Sequence, residues 1–421
     1  MSRISDLRDS ATSLFERAVA QADPAAAVIR ELDRAPLPKA RGRTILIAIG
    51  KAAPAMMRAA LTRVTGAHVA LCVTHHENAA DCPGATVMRA GHPVPDAAGE
   101  AAGRAVIDLL EQAGEDDRVI ALISGGGSAL VPAPAPGLTL EHKITLNRAL
   151  LASGLDIVEM NLVRQQVSRL KGGGFARLAA PASVTGYLLS DVIGDDLRAI
   201  ASGPTVAPIG TRSQAAETLR RAAVWDDLPA ALRSHLSAPD APTPPLQATN
   251  HLVGSNGQSL RAVAEAARQD FATRIVSEGL TGDVGDAARA IHDVARALPA
   301  DAPATALLWG GETTVRLAGD GLGGRNQELA LRLAALGKET PLNRTWVFLS
   351  GGTDGRDGPT EAAGGIVDND SWSRMASAGD PAGLLANNDS NAALALSGDL
   401  LITGATGTNV ADIQILLSVP R

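Results

Sequence analysis

The chain has 421 residues, more than the roughly 250 to 300 that a single hydrophobic core serves, so two domains are expected. Apolar residues at 45% and charged residues at 20% argue against a disordered or fibrous class, and a net charge of −7 without any run of Lys and Arg argues against a nucleic-acid partner. Cys72 and Cys82, the only cysteines, lack CxxC spacing, which argues against a disulfide framework or zinc site and fits a reducing cytosol.

Met1 to Asp6 lack the apolar core of a signal peptide. No uncharged apolar stretch reaches the roughly 18 residues needed to span a bilayer, so a cytoplasmic location without a membrane partner is expected. Residues 5 to 33 read as amphipathic helix broken near Pro24. Thr44 to Gly50 is a short apolar run ending in glycine, a buried strand, followed by Lys51 and a helical pattern that tolerates Pro54 in its first turn. Strands at His68–Thr74 and Ala85–Ala90, a helix at Asp96–Ala113 and a buried strand at Arg118–Ser124 continue the alternation, which predicts parallel βαβ layering. Two helical patterns fill 139–170, Lys171-Gly172-Gly173-Gly174 closes them, and Ser183–Ser190 is the next strand.

Four prolines fall within Ala238–Pro245, where neither a helix nor a central strand can continue, so the domains are expected at 1–240 and 246–421. The second half is expected to run through strand His251–Val253, a helix to about Gln269, strand Thr273–Ser277, helix Asp283–Leu298 and strands Ala304–Trp309 and Thr313–Leu317. Helix Asn326–Leu336 and strands Thr345–Ser350, Leu400–Thr403 and Ile413–Ser418 complete it. The few residues between Trp309 and Thr313 leave no room for a crossover, which predicts a mixed sheet in an α/β domain.

Functional loops of open α/β sheets lie at the carboxyl ends of strands, and the glycine-rich and acidic clusters fall there. Lys51 follows the first strand, where it can reach a phosphate or carboxylate or simply be a solvated surface cation. Ser124-Gly125-Gly126-Gly127-Ser128 can form an anion-binding nest of backbone N–H groups flanked by two hydroxyls, or a tight turn that only needs glycine. Asp191, Asp195 and Asp196 follow the strand ending at Ser190. Carboxylates there suit Mg2+ or a base, with Asp191 the best candidate, Asp195 a second metal ligand and Asp196 a turn or helix cap. Gly319 to Gly324 satisfies GxGxxG, but the preceding strand is not a buried run and the next strand ends in Ser350 rather than an acidic residue, so a dinucleotide site is not expected. Arg325 at the exit of that loop is placed to clamp a carboxylate or phosphate. Asp354 and Asp357, bracketed by glycines, can hold a metal or ligand hydroxyls, or form consecutive Asx turns.

Together these segments resemble the glycerate 2-kinases of the MOFRL type, a family whose members also carry the name hydroxypyruvate reductase. The resemblance rests on Gly50-Lys51-Ala52-Ala53, Gly91 to Asp96, Ser124 to Leu130, Arg169 to Gly173, Ser190 to Asp195, Ser202 to Thr205, Gly310 to Glu312, Gly323 to Glu328, Thr353 to Pro359 and Gly404 to Asp412. The chain departs from the family at Ala405, where members usually carry Pro, and at Asn391, where they carry an aromatic. The resemblance implies a Rossmann-like parallel-sheet N-terminal domain, a C-terminal α/β domain carrying the MOFRL portion, and an active site in the cleft between them. It implies transfer of a phosphoryl group from ATP to the 2-hydroxyl of D-glycerate with Mg2+, with Lys51 and Arg325 as the catalytic cations. On that basis the Gly125–Gly127 nest, its flanking serines and Lys171 are expected to hold phosphates, and Asp191 to bind Mg2+ or accept the hydroxyl proton. Glu312, Asn326 and Asp354 are expected to contact substrate or nucleotide. A hydroxypyruvate reductase using NAD(P)H and a non-catalytic sensor of nucleotide or organic acid are the competing readings.

Overall fold

A computed structural model of the chain describes residues 3–37, 40–240 and 245–421. Two compact units result, Pro24–Val253 and a second made of the residues up to Asp23 together with Gly254–Arg421. After helix α1 (Arg3–Gln21), which belongs to the second unit, the first unit opens with α2 (Pro24–Arg34), β1 (Thr44–Ile49), α3 (Ala53–Leu61), β2 (His68–His75), β3 (Thr86–Ala90), α4 (Ala97–Glu111) and β4 (Arg118–Ile123). It continues through α5 (Gly127–Leu130), α6 (Leu140–Ala152), α7 (Ile157–Gln166), α8 (Gly174–Ala179), β5 (Ser183–Leu189), α9 (Arg212–Arg221), α10 (Ala230–Ser237) and β6 (Ala248–Gly254).

Its sheet has the order β3-β2-β1-β4-β5-β6, and the pairings from β3 through β5 are all parallel. Strands β1 and β4 are buried along their full length, as expected of central strands with helices on both faces, which is why they read as unbroken apolar runs. Parallel strands all end at the same edge, so the loops after β1, β2, β3, β4 and β5 gather there. Pro54 sits in the first turn of α3, where its missing N–H breaks no bond.

The second unit contains α1, α11 (Asn256–Ala267), β7 (Ala272–Asp283), α12 (Val284–Arg296), β8 (Thr305–Thr314), α13 (Arg325–Glu339), β9 (Thr345–Gly352), β10 (Gly364–Asp368), α14 (Ser371–Ala378), α15 (Pro381–Ala386), α16 (Ser390–Ala395), β11 (Leu400–Leu401) and β12 (Asp412–Val419). The strand order is β11-β10-β9-β12-β8-β7; β7 and β8 are parallel and every other pairing is antiparallel. The sheet is mixed, as expected, but for a different reason. The two strands expected at Ala304–Trp309 and Thr313–Leu317 are one continuous strand, β8, and the antiparallel members are β9, β10, β11 and β12. Gly310 and Gly311 lie inside β8 and pair with Ile413 and Asp412 of β12 rather than forming a turn.

The division of the chain differs from 1–240 and 246–421. Helix α1 carries Leu7, Ala11, Leu14, Phe15 and Ala18 on one stripe, and these pack into the core of the second sheet with Leu260, Leu349 and Ile413. Ser259 donates to the Ala18 carbonyl at 2.9 Å, and Arg8 is paired with Asp368 and Asp399. Strand β6, after the proline cluster, is the outer member of the first sheet beside β5. The middle of that cluster, 241–244, lies outside the described residues. No helix among the described residues is long and apolar enough to cross a membrane.

Candidate functional site

In the first unit the loop after β4 folds back on the loop after β1. The Lys51 N–H donates to the Gly125 carbonyl at 2.9 Å, and the Ala52 N–H donates to Ser124 Oγ at 3.1 Å. Gly126 adopts φ +83°, and a Cβ there would meet His92 and the Lys51 side chain at 3.1–3.2 Å. A Cβ on Gly125 would fall 2.0 Å from Asp191 Oδ2, so the carboxylate that follows β5 rests directly on the nest. Only glycine allows both approaches. Lys51, Asp191, His92 and Gly125–Gly127 are thereby gathered at one strand-end edge, as expected for a site that handles anions.

Burial raises the Asp191 carboxyl above its ordinary range while the nearby Lys51 ammonium pulls it back. A carboxylate poised in this way is suited to accept a proton. Asp196, by contrast, is consumed locally. It accepts from the Arg198 N–H at 2.9 Å and from its guanidinium, the turn role expected for it. Asp195 occupies the same turn in left-handed conformation, φ 55°. Among the described residues no three His, Cys, Asp or Glu side chains cluster as a metal cage. Mg2+ needs only one or two carboxylates when phosphate oxygens and water complete its shell, and Asp191 against the nest fits that donor set.

Deeper along the same wall, Lys171 Nζ donates to Ser128 Oγ at 2.6 Å, and Ser128 is linked at 3.0 Å to Ser202, which bonds Asn161. Lys171 faces a cavity of ≈ 260 Å³ that is also lined by Lys143 of α6 and Arg164 of α7. Burial drives the Lys143 ammonium down to about 7 with help from Arg164, and holds Lys171 well below its ordinary value with help from Lys143 and Arg164. Sequence reasoning marked Lys171 but missed Lys143 and Arg164. A signal was present, since Lys143 falls on the buried stripe of α6 with Leu146 and Leu150, where a solvated lysine does not belong.

The second unit gathers Arg325 and Glu312 in another cavity, of ≈ 440 Å³. Arg325 is held at 2.6 and 3.0 Å by Asp412 and at 3.0 Å by Glu312, a fork that keeps its charge in place despite burial. Asp412 is completely buried. Asp357 caps α13, accepting from the N–H groups of Asn326 and Gln327 at 3.2 and 2.8 Å, and burial raises it to about 6. Asn326 is itself buried, with its amide shared between Asp357 and the Ser350 hydroxyl. Asp354 forms an Asx turn with the Arg356 N–H at 3.0 Å. Asn391 donates to Gln327 at 2.8 Å, so it braces the same helix start.

The GxGxxG segment does not offer its backbone to a ligand. The N–H groups of Ala318, Gly319, Asp320, Gly321 and Leu322 donate to Asn388, Asn387 and Asp389 at 2.7–3.3 Å. A pyrophosphate would find those donors already used.

Residues 10–237 match a domain family described as a domain of unknown function, DUF4147, and residues 305–412 match the MOFRL family. The chain is 41% identical over 390 residues to a D-glycerate 2-kinase of Thermotoga maritima, covering 90% of this chain and 91% of the relative. It is 36% identical over 439 residues to a glycerate 2-kinase of Pyrococcus horikoshii, covering 98% and 97%. A relative in Agrobacterium vitis named for hydroxypyruvate reductase is 39% identical over 418 residues, covering 96% and 93%. The crystal structure of glycerate kinase from Thermotoga maritima superposes with a TM-score of 0.90 at 36% identity, covering 99% of this chain and all of the other.

Proposed function

This chain belongs to the glycerate kinase family that joins a DUF4147 domain to a MOFRL domain, and from that premise we propose that it transfers a phosphoryl group from ATP to the 2-hydroxyl of D-glycerate, releasing ADP and 2-phosphoglycerate. The observation that carries the reading is the packing of Asp191 and Lys51 onto the Gly125–Gly127 nest. Phosphoryl transfer asks a protein for positioning and charge neutralisation more than for covalent chemistry, and this edge supplies donors, cations and one carboxylate within contact of each other.

In the proposed reaction the Gly125–Gly127 nest holds phosphate oxygens, Lys171 faces the neighbouring cavity rather than the phosphates, and Lys51 balances charge on the group in transit. The acceptor oxygen bonds to the γ-phosphorus as the bond from that phosphorus to the β–γ bridging oxygen breaks, and ADP leaves with the electron pair. Asp191 receives the hydroxyl proton. In its alternative role Asp191 would hold Mg2+ together with phosphate oxygens, and the ion would then supply neutralisation of the charge on the phosphates. Arg325, with Glu312 beside it, is the proposed cation of the second cavity.

The test is to supply D-glycerate with MgATP and, separately, hydroxypyruvate with NADH or NADPH. The expected result is metal-dependent ADP release with a product that enolase converts directly and no oxidation of NAD(P)H. NAD(P)H consumption without ATP use would establish the reductase reading instead. Lys51→Ala is expected to lower kcat by roughly a hundredfold while melting with the wild type, the loss typical of one preorganised charge contact.

A further inference from the structure

The ≈ 260 Å³ cavity of the first unit has a composition that the transfer chemistry alone does not explain. Its charged lining is Lys143, Arg164 and Lys171, and no carboxylate lines it among the described residues. Among the described residues no carboxylate compensates these cations from farther off: burial and neighbouring cations act on the two lysines, and burial acts on Arg164. Their polar contacts leave donors to spare. Among the described residues Lys143 donates to the Val167 carbonyl at 3.4 Å, Lys171 donates to Ser128 Oγ, and Arg164 directs Nε and Nη2 at one atom, Asn147 Oδ1. An ammonium carries three donors and a guanidinium five, so the cavity is rich in N–H and poor in acceptors. Burying cations without a counter-ion destabilises a fold, and such an arrangement persists where a ligand supplies the missing charge.

Size and position narrow the ligand. The cavity is smaller than the roughly 300 to 1,000 Å³ typical of sites for drug-sized molecules, so it suits a three- or four-carbon acid and is too small for a nucleoside triphosphate. Gly126, Ser128 and His92 form the wall it shares with the nest, and Lys51 packs against Gly126 from that side. A short acid anchored at the three cations would therefore turn its hydroxyl toward the nest and Asp191.

Resting on the kinase reading, we propose that Lys143, Arg164 and Lys171 bind the carboxylate of the hydroxy-acid acceptor and make the enzyme select acids over uncharged polyols. The ligand needs one carboxylate and a hydroxyl on the neighbouring carbon; glycerol has the hydroxyls without the anion. Before the acid binds, the trio is an electrostatic liability to the fold, and binding relieves it.

The test combines thermal unfolding with steady-state kinetics on the full chain. D-Glycerate alone should raise the melting temperature of the wild type, and glycerol at the same concentration should not. Arg164→Gln should raise the KM for glycerate by roughly 30-fold or more, as expected for truncating one partner of a buried charge pair. The KM for ATP should stay within about threefold, the mark of an interaction made only with the acid. Lys143→Met should do the same while melting no lower than the wild type in the absence of ligand, and should abolish stabilisation by glycerate. An unchanged KM for glycerate in folded variants, or a loss that falls on ATP, overturns the proposal. Should Arg164→Gln not fold, Lys143→Met and the glycerate-against-glycerol comparison decide it, and equal shifts with the two ligands would overturn it. Because the melting assay needs no turnover, an enzyme that binds glycerate here yet consumes no ATP would refute only the kinase reading.

Discussion

The charged groups buried in the two units are matched in opposite ways. In the second unit Arg325 meets Asp412 and Glu312, and Arg374 with Arg8 meets Asp368 and Asp399, so every guanidinium in these groups faces carboxylates. In the first unit Lys143, Arg164 and Lys171 face one another across a cavity. Charge that is matched inside the protein holds elements together: Arg8 ties α1 to the end of β10, and Arg325 ties the start of α13 to β12. Charge left unmatched inside the protein waits for a partner from outside. The same residue types thus carry different meanings, and the meaning is set by what stands opposite.

The largest effect is expected where a matched pair is broken. Arg325→Ala leaves Asp412 buried and unpaired, and the loss in urea unfolding should be about 3 kcal/mol, the lower end for a buried pair because Arg325 itself is a third exposed. Asp412→Asn added to that variant should recover most of the loss, and a double variant no more stable than Arg325→Ala would show that the pair is not the cause. A free catalytic cation would cost nothing of the kind.

A comparison within one turn comes next. Asp191→Asn should lower kcat by roughly a hundredfold, as expected for removing a proton acceptor, while Asp196→Asn, which touches only Arg198, should stay within about threefold. Equal effects would return Asp191 to a structural role.

The smallest effect is a slope. Lys143 has a folded value of about 7 against an ordinary 10.5, so between those limits the unfolded chain binds more protons than the folded one and stability rises with pH. The penalty is complete below pH 7 and relieved above it. Lys143→Met, measured against the wild type by denaturation at pH 7, 8 and 9 without ligand, should show a stability advantage that shrinks by up to about 1.4 kcal/mol per pH unit, the limit for one proton. Arg164, Lys171 and His92 face Lys143 across the cavity, and removing Lys143 also lifts its repulsion from Lys171, so the difference reports the coupled pair of lysines. A constant difference would mean that Lys143 is already compensated.

How much of this was legible depended on whether the signal was local. Strands β1 and β4 announce themselves as short apolar runs, and the clusters after them, Lys51 and Ser124 to Ser128, had to lie at one edge once the strands were parallel. Asp196 could be read as a turn residue for the same reason, since its partner is two positions away. The role of the GxGxxG segment was not legible, because the groups that accept from its N–H donors, Asn387, Asn388 and Asp389, lie some 70 residues on. Helix α1 was drawn into the first domain by its place in the chain, whereas its apolar stripe belongs to the core of the second sheet.

Amino-acid order by itself determined the alternation of strand and helix, the glycine-lined turns and the class of chemistry they can support, because periodicity and backbone freedom act over a few residues. Tertiary structure alone decided which charges are matched. Arg325 and Asp412 are 87 positions apart, and Lys143, Arg164 and Lys171 converge from two helices and a turn. Pairing depends on distance and desolvation in three dimensions, and neither leaves a trace in the local pattern.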